Sequence, residues 1–176
     1  MVIALFSCMT NESKQLETVL DSFSTTMLTT HSDFDGVSTA LRSRPMHIAG
    51  REGFRKVYFV TSRETELVDE LKRSSQVALV FADGTRFLSM SAEATPLEDP
   101  ALLLSLWSPA MSVWFEAGAK DDMVQLIEAV PTGAEYWDMS GTTKIRYAFE
   151  TIKALITGDK VEPITGSDVH GTVTLA

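Results

Sequence analysis

Two short segments of the chain carry residue types that converge on anion chemistry. Arg42-Ser43-Arg44-Pro45-Met46 sets two arginines two positions apart, and side chains at that spacing share one face of a β-strand. Pro45 offers no amide proton, which places the segment at a sheet edge or at the rim of a cavity. Downstream, Thr61-Ser62 closes the run Lys56-Val57-Tyr58-Phe59-Val60 and leads into a helical pattern. Hydroxyls, free backbone N–H groups and the positive end of a helix dipole, meeting at one strand-to-helix junction, make a workable phosphate site. The same Thr-Ser step also reads as an ordinary helix N-cap. Charge bears on the choice: between Arg42 and Arg73 stand eight of the fifteen basic residues against five acidic ones, in a chain of formal net charge −9. One basic sector in an acidic chain suits a small phosphorylated ligand, although the solvated face of a hairpin and a helix accounts for the charges equally well.

Other chemistries find no footing. His31, His47 and His170 have neither helical spacing nor carboxylates at metal-ligand spacing, so no metal site is expected. Cys8 is the only cysteine, which rules out an internal disulfide and reads as a small apolar residue. No nucleophile elbow and no glycine-rich triphosphate loop is present, so no catalytic side chain is assigned and redox chemistry would have to come from a cofactor. The net charge argues against nucleic acid and anionic membrane surfaces as partners. No apolar run reaches the roughly 18 residues needed to span a bilayer. The apolar Met1 to Cys8 lacks the basic start of a secretory signal, and Glu12 and Glu17 argue against a transit peptide, so a cytoplasmic location is expected.

These segments need elements to hold them. Leu16, Val19, Leu20 and Phe23 repeat at helical spacing within Asn11 to Phe23. Thr25 to Thr30 and Val37 to Ile48 flank Asp33-Phe34-Asp35-Gly36 and predict a hairpin. Lys56 to Thr61 is a third strand, after which Thr61-Ser62-Arg63-Glu64 predicts a capping box opening a helix through Leu71. Gln76 to Ala82 and Arg86 to Thr95 are strands joined at Asp83-Gly84, and Asp99-Pro100 caps a helix over Ala101 to Trp107 that Pro109 stops or kinks. Met123 to Val130 and Ala134 to Trp137 are strands separated by Pro131-Thr132-Gly133; Lys144 to Thr157 returns to helical spacing, and the tail is polar and extended. Six or seven mostly antiparallel strands with short helical interruptions predict an α+β chain built on a closed or partly closed barrel. No repeat or linker divides the 176 residues, so one domain over 1–176 is expected, with 144–176 packed on it.

Arg42-Ser43-Arg44-Pro45-Met46, Tyr58-Phe59-Val60-Thr61-Ser62, Leu106-Trp107-Ser108-Pro109 leading to Trp114-Phe115, and Ala134-Glu135-Tyr136-Trp137-Asp138 together resemble the general stress protein branch of the pyridoxamine 5'-phosphate oxidase-like, FMN-binding split barrels, as does a late His170-Gly171-Thr172-Val173. The resemblance covers roughly Leu16 to Leu175. It implies a six-stranded antiparallel Greek-key split β-barrel with peripheral helices, forming a homodimer with flavin mononucleotide (FMN) in clefts between subunits. Arg44, Pro45 and Met46 would line the flavin ring and ribityl chain; Val60, Thr61 and Ser62 would lie near the chain and phosphate; Trp114 would approach from the partner subunit. For Trp137 core packing is the better reading.

The chain departs from the family pattern at Leu67, preceded by Glu66, where related barrels carry a lysine for the phosphate; Arg42, Arg63 or Lys72 could reach in instead. It also lacks the Arg-x-His pair with which pyridoxamine phosphate oxidases grip substrate, since Arg146 and His170 stand far apart. Vitamin B6 synthesis is therefore not expected. What the resemblance implies is a flavin-dependent oxidoreductase of small molecules, or alternatively a non-catalytic protein that stores, senses or scavenges flavin during stress.

Overall fold

The computed structural model describes residues 11–34, 37–115, 117–139 and 170–175. The chain opens with helix α1 (Asn11–Asp21), whose Leu16, Val19 and Leu20 are wholly buried, and continues into the hairpin of β1 (Thr25–Phe34) and β2 (Val37–His47). A short β3 (Gly50–Glu52) pairs with β4 (Lys56–Ser62), and α2 (Glu66–Arg73) follows. The second hairpin, β5 (Gln76–Ala82) and β6 (Arg86–Leu97), turns at Gly84 with φ +89°. Asp83 Oδ1 braces that turn by accepting from the N–H groups of Thr85 (2.9 Å) and Arg86 (2.7 Å). Helix α3 (Pro100–Leu106) and a 3-10 turn (Pro109–Val113) lead to β7 (Val124–Asp138), and β8 (His170–Thr174) pairs with β7.

Among the described residues all ladders are antiparallel, and seven strands run in the order β2-β1-β5-β6-β7-β4-β3, with β8 beside β7 off that path. This corrects the expected six strands. The extra ones arise because β3 is a three-residue pairing too short to show a pattern, and β8 forms from the polar tail, where a ladder partner supplies what hydrophobicity does not. Met123 to Val130 and Ala134 to Trp137 also merge. Ser91 faces Gly133 and Ala92 faces Pro131, so Thr132 bulges out of one continuous strand. The bulge absorbs the proline that had argued for a break. At the same point the outer partner of β7 changes from β4 to β8.

The path is open. Among the described residues no ladder joins β2 to β3 or β4, although β2 and β4 come close. The sheet curls around a core that includes Leu28, Phe59, Leu79, Phe81, Leu88, Met90, Ile127 and Tyr136, closed by α1 and α2. A second cluster of Tyr58, Leu103, Val124 and Leu126 lies outside it, packed by α3 and by Trp107 and Phe115 on either side of the 3-10 turn. There β3 passes under α3 so closely that a Cβ on Gly50 would stand 2.3 Å from Leu106 Cδ2. No helix among the described residues is long and apolar enough to cross a membrane. The segment Lys144 to Thr157, Cys8 and the Asp35-Gly36 part of the first reversal lie outside the described residues.

Candidate functional site at the split

A cleft of about 530 Å³ opens where the two ends of the strand path face one another. Pro45, Met46 and His47 form the wall on β2, and Val60, Thr61 and Ser62 form the wall on β4. Ala110, Met111, Trp114 and Phe115 cover one side. Six of the seven residues singled out as cofactor-binding are thus brought together, from three regions of the chain. His47, Ala110, Met111 and Phe115 had not been named as cofactor-binding. His47 follows Met46 directly, and Met111 and Trp114 stand three apart in a turn begun by Pro109, the spacing that puts side chains on one edge of a 3-10 helix.

The aromatic cover is held from behind. Trp107 packs against Phe115 at 6.0 Å between ring centroids, and its Nε1 donates to Ser112 Oγ (3.3 Å). Trp107 is therefore a buttress, while Trp114 is 81% exposed at the cleft. Asp99 starts this whole segment by accepting from the Leu102 N–H at 2.9 Å, the N-cap its sequence announces.

The strand-to-helix junction differs from expectation. Thr61 and Ser62 still belong to β4, and α2 begins only at Glu66 with Thr65 in the N-cap position. Thr65 bonds back to Ser62 O through its N–H (3.3 Å) and Oγ1 (2.9 Å), so a turn intervenes. The capping box over 61–64 does not form, and Thr61 and Ser62 offer hydroxyls without a helix dipole behind them. Leu67 is 2% exposed and packed in the main core. Its position is not a vacant place for a cation.

Nor is the basic sector a basic surface. Arg42 pairs with Glu66, Arg44 with Glu70, Arg51 with Asp21, Lys56 with Glu128, Lys72 with Asp69 and Arg73 with Asp33. Arg63 grips Glu98 with both terminal nitrogens (2.6 and 2.8 Å) and also donates to Gln125 Oε1. The three cations proposed to replace a lysine are all paired. Arg44, the seventh predicted residue, does not line the cleft: its Nη2 donates to Glu70 Oε2 at 2.6 Å, while Nη1 is buried with no hydrogen-bond partner among the described residues. Glu70 is 1% exposed. Burial alone would raise its pKa, but hydrogen bonds from Thr30, Ser32 and Arg44 outweigh that and hold it below the ordinary carboxylate value.

The cleft is chemically sparse. Among the described residues that line it His47 is the sole titratable side chain, and no group of His, Cys, Asp and Glu among the described residues could hold a metal ion. It can bind an apolar, planar group and offer hydroxyls to a polar tail.

The chain matches the family described as pyridoxamine 5'-phosphate oxidase like over residues 11–162. It belongs to that family. Solved structures agree with this pyridoxamine 5'-phosphate oxidase-like assignment. General stress protein 26 of Jannaschia sp. CCS1 superposes with a TM-score of 0.70 at 20% identity, covering 93% of this chain and 98% of that one. General stress protein 26 of Bacillus anthracis str. Sterne gives 0.63 at 18% identity, over 72% and 94% of the two chains. The general stress FMN/FAD binding protein of Xanthomonas citri gives 0.61 at 28% identity, over 75% and 92%. No curated protein matches the chain.

Proposed function

We propose that this protein holds a flavin, FMN in particular, in the cleft at the split of its barrel, and that it does so as a homodimer. The observation that carries the reading is the cleft itself. Its volume lies within the range of cofactor sites, and its Pro45, Met46, Val60, Met111, Trp114 and Phe115 suit a planar ring while Thr61 and Ser62 suit a polar chain. The 28% identical Xanthomonas citri relative, named for FMN/FAD binding, supports the same ligand class. Bound flavin would supply electron transfer. The protein's own part is to exclude water with its aromatic cover and to orient the ring between the two walls. The reading is of a flavin-dependent oxidoreductase acting on a small molecule in a stress response.

A second reading, a non-catalytic store or sensor of flavin, draws on the absence of any carboxylate, lysine or arginine among the described residues that line the cleft. One experiment tests both. Purified protein incubated with FMN should show a shifted flavin absorbance spectrum, and a nicotinamide donor should then bleach it, with colour returning in air. No shift overturns the flavin reading; a shift without bleaching selects the store or sensor.

A further inference from the structure

The cleft has two walls and, among the described residues, no ladder between them, so something other than sheet pairing must set its width. Strand β2 ends the strand path and among the described residues is paired on one edge only, to β1. Helix α2 is tied to both strands that carry the walls. It is continuous with the β4 wall through the turn after Ser62, where Thr65 bonds back to Ser62 O. It meets β2 through two ion pairs in sequence, Arg42–Glu66 and Arg44–Glu70. The repeats match: two residues along a strand span about 6.8 Å, and four along a helix about 6 Å. The helix cannot drift, because Leu67, Val68 and Leu71 anchor it in the core.

We infer that α2 is a strut across the split and that Glu70, acting through Arg44, is a positioning residue that fixes the Pro45-Met46-His47 wall against the Val60-Thr61-Ser62 wall. The pair is poorly built for stability alone. A buried ion pair is often no better than an apolar pair of the same shape, and this one leaves Arg44 Nη1 without a partner among the described residues, a state that costs stability. Its geometry is what it contributes. Arg44 then influences a ligand by placing the residues next to it, without itself reaching the phosphate.

The test uses the double variant Arg44→Met with Glu70→Leu, which removes both charges together and so leaves neither buried alone. The expected result is a melting temperature close to that of the parent, with hydrogen exchange across residues 43–48 of the ligand-free protein faster on the order of tenfold. Affinities for FMN and for riboflavin should fall together, also on the order of tenfold. Unchanged exchange overturns the strut. Loss of FMN with riboflavin retained also overturns it, by showing that Arg44 meets the phosphate. The affinity readout rests on the flavin reading of the cleft; the exchange readout does not. A parent that binds neither flavin therefore removes that reading while exchange still decides the strut. Should the double variant fail to fold, Glu70→Gln is read by the same two measurements.

Discussion

Leu67 shows how far the environment of one residue decides its meaning. The family resemblance implies a cation at its position, yet here the side chain is 2% exposed among Val68, Leu71 and the core strands. Leu67→Lys should destabilise the protein by at least about 2 kcal/mol, from lost packing and a poorly solvated charge, with no gain in FMN affinity; urea unfolding and a flavin titration would check both. Glu70 makes the opposite point, a carboxylate kept ionised in the interior by Thr30, Ser32 and Arg44. Its pKa is lowered in the folded state, so its contribution is present above the ordinary value of 4.5 and is lost as pH falls through the folded value. The stability gap between the parent and Glu70→Gln should therefore be widest near neutral pH and narrow in acid below 4.5. A gap that widened in acid would mean that Glu70 is protonated in the fold.

Among elements, α3 is small and consequential. It is seven residues long, too short to be stable alone, and it is held by the Asp99 cap and by Leu103 and Leu106 packed over β3 and β4. The turn that follows presents Met111, Trp114 and Phe115 to the cleft. Asp99→Ala should cost about 1 kcal/mol, read as a lower melting temperature. Because the helix leads into the cleft's cover, ligand affinity should fall with it, whereas Asp83→Ala at the far hairpin should lower stability and leave affinity unchanged. Strand β7 is the counterpart among strands: one bulge at Thr132 lets it bend and pair with β4 in its first half and β8 in its second.

At the scale of the molecule, the 3-10 turn and its end present Val113 and Trp114, 80% and 81% exposed, beside an open cleft. Large apolar side chains exposed together mark interaction surfaces, and aromatic residues are favoured at interface cores. On the homodimer reading, sedimentation at micromolar concentration should give a dimer, and Trp114→Ala should weaken both association and flavin binding by tenfold or more, about 1.4 kcal/mol. A monomer, or a variant with full affinity, would remove the partner from the site. Much of this architecture is local in origin and was legible in the sequence. Helical spacing marked α1, Asp83-Gly84 marked the second hairpin and Asp99-Pro100 marked α3, because each rests on backbone preferences a few residues long. The clustering of Pro45, Met46, Val60, Thr61, Ser62 and Trp114 was reached through family resemblance, since nothing in their spacing brings residues 45 and 114 together. Tertiary structure alone decided the rest. It turned Arg44 onto Glu70, paired seven of the eight cations of the basic sector, buried Leu67, and joined β8 to β7. The physical reason is that charge pairing and burial depend on partners distant in sequence, and composition registers how many charges a segment carries but not which of them meet.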